Sequence, residues 1–114
     1  MKIKDIADIL NAEIVCGFNE INREANYCFA SDLMSDVLTI DKDNLLLITG
    51  LSNLQTIRTA EMSDIFAIIF ARNKEITKEM KKLAEDNNMV LLKCKYSMFK
   101  TSGILYKNGI NPVY

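Results

Sequence analysis

No histidine occurs anywhere in the chain. That absence removes Ser-His-Asp and Cys-His catalysis, histidine metal ligation and the usual near-neutral general base. An enzyme built on this sequence would have to work with carboxylates, lysine, tyrosine or cysteine. Glycine is scarce too, standing only at positions 17, 50, 103 and 109. These cannot satisfy the P-loop pattern G-x-x-x-x-G-K-[ST] or the dinucleotide fingerprint G-x-G-x-x-G, so phosphoryl transfer from ATP has no evident means. The three cysteines, Cys16, Cys28 and Cys94, include no C-x-x-C pair. Neither a disulfide framework nor a zinc site is suggested. Long apolar runs are missing: the longest, residues 65–71, falls far short of the roughly 20 needed to span a bilayer. No basic run exceeds Lys81-Lys82 and no aromatics interleave with one, which argues against nucleic acid as a partner.

What is present is ordinary globular usage, 49% hydrophobic and 25% charged over 114 residues. Such a chain buries roughly two-thirds of its unfolded surface, and residues 1–114 are expected to form a single domain. Asp5 and Asp8 interrupt the apolar pattern of the N-terminus, against a secretory signal, so the cytoplasm is the expected location. Net charge is −1 but unevenly spread. Residues 1–71 carry 5 basic against 11 acidic side chains, and residues 72–114 carry 9 against 4. Two solvated faces of opposite sign explain this. The sharper but less favoured explanation is a basic half that attracts a phosphorylated ligand, or meets the acidic half of a second copy.

The most informative stretch is residues 45–70, LLLITGLSNLQTIRTAEMSDIFAIIF. Leu45 to Ile48 is an uninterrupted apolar run, as expected of a strand covered on both faces. Gly50 suits a sharp strand-to-helix turn. Ser52 followed by Gln55 fits a capping box that starts a helix. Around this stretch Ile3, Ile6, Ala7 and Leu10 mark an amphipathic helix. Short strands follow at 13–16 and 27–30, then a serine-aspartate pair twice over (Ser31, Asp32, Ser35, Asp36), where either serine caps a short helix. Strands starting at 45, 65 and 89 alternate with helices over 53–62, 78–87 and 98–107, the spacing of β-α-β units. Thr77 and Ser97 are the expected N-caps of the last two helices, and Pro112 ends the pattern. Leu54, Ile57, Met80 and Leu83 face the core, and Lys78, Lys81 and Lys82 with Glu79 and Glu85 form a wet helix face. Met98 with Leu105, and Phe99 with Tyr106, are taken as packing positions. The fold class is α/β: one three-layer domain with a mostly parallel sheet of four to six strands flanked by helices.

Two turns suit binding. One is Thr49-Gly50-Leu51-Ser52-Asn53, where hydroxyls, an amide side chain and helix N–H groups converge, with Arg58 on the helix that follows. The other leads from Tyr96 through Ser97 to Thr101 and Ser102. In a parallel sheet both fall on the same edge, where a small anionic ligand or nucleotide can sit. Plain caps and turns are the competing explanation. Asp32 and Asp36, at i and i+4, are a weaker signal for an acid/base pair or for Mg²⁺. No cofactor or metal ligand set is assigned.

The runs ASDLMSDVL (30–38), LLLITGLSNLQTIRTAEMSDIFAIIF (45–70) and YSMFKTSGILYKNGI (96–110) resemble the DRTGG domain. That family is met as small stand-alone proteins and as a module in phosphotransacetylases and CBS-containing inorganic pyrophosphatases. The N-terminal domain of HPr kinase/phosphorylase has a related fold. The resemblance implies an α/β domain that dimerises and acts as a regulatory or sensing module in bacteria and archaea. Many members carry a Gly-Asp-Arg-Thr type turn after the strand ending at Thr49. Here Gly50 is followed by Leu51, Ser52 and Asn53, so the roles of that Asp and Arg are not carried over. The HPr serine kinase label borne by some members is not carried over either, for want of a P-loop. Three readings follow, in order of preference. The first is a non-catalytic regulatory domain, a homodimer, binding a small phosphorylated ligand or a protein partner through Thr49, Gly50, Ser52, Asn53, Arg58, Ser97, Thr101 and Ser102. The second is a pure interaction module; the third is an enzyme using Asp32 and Asp36.

Overall fold

The computed structural model describes residues 1–114. Six strands form one sheet: β1 (Glu13–Cys16), β2 (Tyr27–Ala30), β3 (Leu45–Thr49), β4 (Ala67–Phe70), β5 (Val90–Lys93) and β6 (Asn111–Pro112). Their spatial order is β1-β5-β4-β3-β2-β6. All pairs are parallel except β1 with β5. Five helices complete the fold: α1 (Ile3–Leu10), α2 (Met34–Val37), α3 (Leu54–Met62), α4 (Lys78–Asp86) and α5 (Met98–Lys107). No helix is long and apolar enough to cross a membrane.

Every residue of β3 and β4 is buried, which is why those segments carry no polar alternation. Successive side chains point to opposite faces, so each strand feeds two cores. Leu46, Ile48, Ile69 and Leu92 pack with α1 and α5 on one face. Leu45, Leu47, Ile68 and Leu91 pack with Val37, Ile57, Met80 and Ala84 of α2, α3 and α4 on the other. The connections after β2, β3 and β4 therefore all cross one face. The connection after β5 crosses the opposite face and returns the chain to the far edge as β6. The connecting helix leaves β4 over one face and β5 over the other, and the carboxyl ends of these two strands are the topological switch point of the sheet.

Three local expectations are corrected. Gly50 does not take a positive φ; the glycines that do are Gly17 (φ +86) and Gly109 (φ +94). At Gly17 a Cβ would meet the Met89 carbonyl oxygen and Val90 Cα at 2.7 Å each, because β1 runs close against the start of β5. Gly109 follows α5, and the Ile110 N–H reaches back to the Leu105 carbonyl at 3.2 Å, a helix stop that aims the chain at β2. Second, Pro112 does not merely end the chain pattern. It lies in the edge strand β6, where its missing N–H costs no ladder bond on the solvent side. Third, Phe99 and Tyr106 are not core: they are 89% and 70% exposed, while Leu105 between them is buried. Seven-residue spacing puts two side chains on one helix stripe but does not say which way the stripe points.

Candidate ligand site at the carboxyl edge of the sheet

Parallel pairing brings the ends of β2, β3, β4 and β5 to one edge, so residues 31–32, 49–53, 71–75 and 94–97 meet there. Asp32 organises the first two. Its Oδ1 accepts from the Thr49 hydroxyl at 2.9 Å and from the Gly50 N–H at 2.7 Å. Thr49 is fully buried, and its Oγ1 accepts in turn from the Leu51 N–H at 3.1 Å. A carboxylate of the chain thus occupies the place that the turn offers to an anion. Gly50 lies against it: an added Cβ would stand 3.6 Å from both Asp32 carboxylate oxygens.

Helix α3 starts differently from the capping-box expectation. Asn53 is the N-cap, with its Oδ1 accepting from the Thr56 N–H at 2.9 Å. Ser52 instead donates its hydroxyl to the Glu75 carbonyl, tying the turn after β3 to the segment after β4. Thr56 donates to the Leu51 carbonyl at 2.7 Å. The N–H groups of residues 52–55 make no hydrogen bond, as the first turn of a helix leaves them. Arg58 lies one turn further along α3, exposed and without an ion pair; the single salt bridge in the structure joins the N-terminus to Glu24.

The second predicted turn divides. Ser97 caps α5 by accepting from the Lys100 N–H at 3.1 Å, and Thr77 caps α4 likewise at 3.2 Å. Thr101 is not at the surface. It is fully buried, its hydroxyl 3.6 Å from the Cys94 thiol, so it serves the core. Ser102 donates to the Met98 carbonyl at 2.7 Å and lines a groove on the α5 side of the sheet, away from the Thr49–Asn53 turn. The structure therefore gathers Asp32, Thr49, Gly50, Ser52 and Asn53 in one place, sets Ser97 on the same edge, and separates Thr101 and Ser102 from them.

The paired aspartates do not share a helix face. Asp32 precedes α2 and Asp36 lies inside it, while Ser31 accepts from the Leu33 N–H at 3.0 Å in a local turn rather than capping the helix. Ser35 and Asp36 are exposed on α2. No three acidic or cysteine side chains converge closely enough to hold a metal. Sequence reasoning missed Arg72 and Asn73. Both take positive φ (61° and 56°) directly after β4, at the switch point. Their N–H groups donate to the Tyr96 carbonyl at 2.8 Å and the Cys94 carbonyl at 2.7 Å, closing the two strand ends together. Left-handed backbone in non-glycine residues costs of order 1 kcal/mol each. An Arg-Asn pair at a strand end carried the signal, since Asn is enriched in that conformation.

The thiols are passive. Burial pushes the Cys28 thiol up to about 12. Desolvation also raises Cys16, opposed by a backbone hydrogen bond at Leu91. Neither sits in the electropositive, exposed setting that activates cysteine.

The fold is a mostly parallel α/β sheet with its polar turns gathered at the carboxyl edge. The DRTGG domain family matches residues 5–107, and the chain belongs to that family. Among solved structures, it resembles the CBS and DRTGG domains of the regulatory region of Clostridium perfringens pyrophosphatase, complexed with its activator diadenosine tetraphosphate. The two align with a TM-score of 0.71 at 16% identity, covering 91% of this chain and 45% of that one, so the chain spans about half of its length. A comparison with curated proteins finds no match.

Proposed function

We infer that residues 1–114 act as one regulatory module of the bacterial cytoplasm, a homodimer that senses a small phosphorylated ligand, of nucleotide type, at the carboxyl edge of its sheet. The observation that carries this reading is family membership across residues 5–107. The likeness in fold to a regulatory region bound to a nucleotide activator supports the ligand class. Within the chain, the unbonded N–H groups of 52–55 and the unpaired cations Arg58 and Arg72 supply positive potential, while Asp32 sets the turn. Because Asp32 already holds the Gly50 N–H, phosphate is expected to engage residues 52–55 and the arginines rather than the Gly50 amide. No catalytic role is assigned to Asp32 or Asp36.

Thermal-shift titration with diadenosine tetraphosphate, ATP, AMP and ribose 5-phosphate tests the reading. A ligand at a hundredfold excess over its Kd adds about 2.7 kcal/mol, roughly 10 °C for a chain of this size. The shift should shrink in Arg58→Ala and Arg72→Ala. Equal stabilisation of both variants would move the ligand elsewhere, and no shift with any of the four compounds would defeat the nucleotide reading. In that case a protein-interaction module is the reading that remains, favoured by the exposed aromatic stripe of α5.

A further inference from the structure

The segments that meet at the carboxyl edge carry unequal charge. Residues 31–33 after β2 hold Asp32 alone, and residues 50–53 after β3 hold no charged side chain. Residues 71–75 after β4 hold Arg72, Lys74 and Glu75, and residues 94–97 after β5 hold Lys95. Lys100 follows in the first turn of α5. β1 runs antiparallel to β5, so its first residue, Glu13, closes this edge beyond β5, in register with Lys93. The cations Arg72, Lys74, Lys95 and Lys100 therefore stand at the switch point between β4 and β5, and carboxylates bound the edge on either side.

The backbone draws these cations together. The Arg72 N–H donates to the Tyr96 carbonyl at 2.8 Å and the Asn73 N–H to the Cys94 carbonyl at 2.7 Å, with Lys95 between the two acceptors. Lys100 Nζ stands 4.0 Å from the centroid of the Tyr96 ring. Arg72 and Lys100 thus meet at one residue, the first through its carbonyl and the second through its ring. Arg72, Lys95 and Lys100 are exposed, and Lys74 is half-buried. None of the four forms an ion pair, with Glu75 or any other acid, since the single salt bridge lies at the N-terminus. The starts of α4 and α5, which leave this point over opposite faces, add positive potential instead of relieving it. At the start of α5 the Met98 and Phe99 N–H groups donate to nothing. The switch point is a concentration of donors and positive charge without a counter-charge in the chain.

We propose that the β4–β5 switch point is an oligophosphate subsite, in which Arg72, Lys74, Lys95 and Lys100 hold the outer phosphates of a chain whose first phosphate lies on residues 52–55. The proposal rests on the nucleotide reading above for that first phosphate, and it narrows the ligand from any phosphorylated nucleoside to a nucleoside polyphosphate. Neighbouring strands are ~4.8 Å apart, so the ends of β3 and β5 stand roughly 10 Å apart, two spacings along the edge. One phosphate cannot touch both. A chain of phosphates can lie along the edge from the start of α3, past Arg72, to Lys95 and Lys100. Charge fixes its direction: Asp32 repels it from the β2 side, and Glu13 bounds it beyond β5.

Isothermal titration calorimetry of the full chain with AMP, ATP and inorganic tripolyphosphate, at about 0.1 M NaCl, tests this. ATP should bind at least tenfold more tightly than AMP, and that advantage should shrink at about 0.5 M NaCl, where exposed charges are screened. The double variant Lys95→Gln/Lys100→Gln changes only exposed side chains, so its far-UV circular dichroism should match the wild type. It should lose at least tenfold in affinity for ATP and keep the AMP affinity. Equal affinities for AMP and ATP, or ATP binding that the double variant leaves unchanged, overturn the subsite and leave the nucleotide reading standing. Tripolyphosphate that binds and is weakened by the double variant, with neither nucleotide binding, supports the subsite and overturns the nucleotide reading. Binding of none of the three compounds overturns both.

Discussion

Replacing Asp32 with alanine should loosen the carboxyl edge of the sheet by an amount that the geometry lets one work out. The carboxylate accepts two hydrogen bonds, from the Thr49 hydroxyl at 2.9 Å and the Gly50 N–H at 2.7 Å. A hydrogen bond to a charged group contributes about 1.5–3 kcal/mol when shielded. Asp32 itself is exposed, and the Gly50 N–H can turn to water, so that bond is worth little net. The Thr49 hydroxyl differs, being fully buried and left without an acceptor for its proton. Stranding such a group costs about 1–3 kcal/mol. The expected loss is therefore about 1–2 kcal/mol. Unfolding entropy near 2.1 cal/mol/K per residue converts this to about 4–8 °C in Tm. Urea denaturation of the wild type, Asp32→Ala, Thr49→Val and the double variant closes a cycle. The coupling between the two positions should be about 1 kcal/mol, because Thr49→Val removes the donor that Asp32→Ala would strand. Asp32→Asn keeps an acceptor oxygen and should lose less than Asp32→Ala. If Asp32→Ala changes stability by less than about 0.3 kcal/mol, or the cycle shows no coupling, Asp32 does not organise this turn.

Two further outcomes follow from the same edge and the neighbouring strand. Asn53→Ala should cost about 1 kcal/mol of stability by urea denaturation, since it removes the side-chain cap of α3, and Asn53→Asp should restore it. Cys28 makes stability fall as pH rises. Its folded value of about 12 lies above the usual 9.0, so the native state holds the proton where the unfolded chain releases it. Stability is unaffected by this group below about pH 9 and declines progressively from there toward pH 12. Cys28→Ala should flatten that decline in denaturation curves taken across the range. The raised value keeps the thiolate fraction low, which predicts slow alkylation of the native thiol at neutral pH.

Much of the fold was legible because burial leaves a mark on composition. β3 and β4 are covered on both faces, so Leu45–Thr49 and the run ending at Phe70 carry no exposed polar positions to blur them. Thr77 and Ser97 were readable as caps since a short hydroxyl side chain directly before a helical pattern has few other uses. Ser52 illustrates the limit. Its spacing to Gln55 fits a capping box, but the Glu75 carbonyl lies within reach only after β4 is laid beside β3, and the hydroxyl goes there. Asp32 and Thr49 are 17 residues apart, so their bond has no local trace. β6 is two residues long and contains proline, which no strand pattern announces.

By itself the sequence determined the α/β class, the order of the elements as far as α5, the parallel β-α-β core and the resemblance to the DRTGG domain. Local periodicity and capping carry the first three and three sequence runs carry the last, and none depends on what lies across the molecule. Only the tertiary structure decided that Asp32 fills the Gly50 turn and that Thr101 is buried against Cys94. It alone placed Arg72 and Asn73 at the switch point. It also turned the Phe99–Tyr106 stripe of α5 outward. A helix stripe knows its own spacing but not its neighbours. Which side of α5 faces the sheet was set by α1 and β3 packing against it, leaving the face of β2 beside it uncovered.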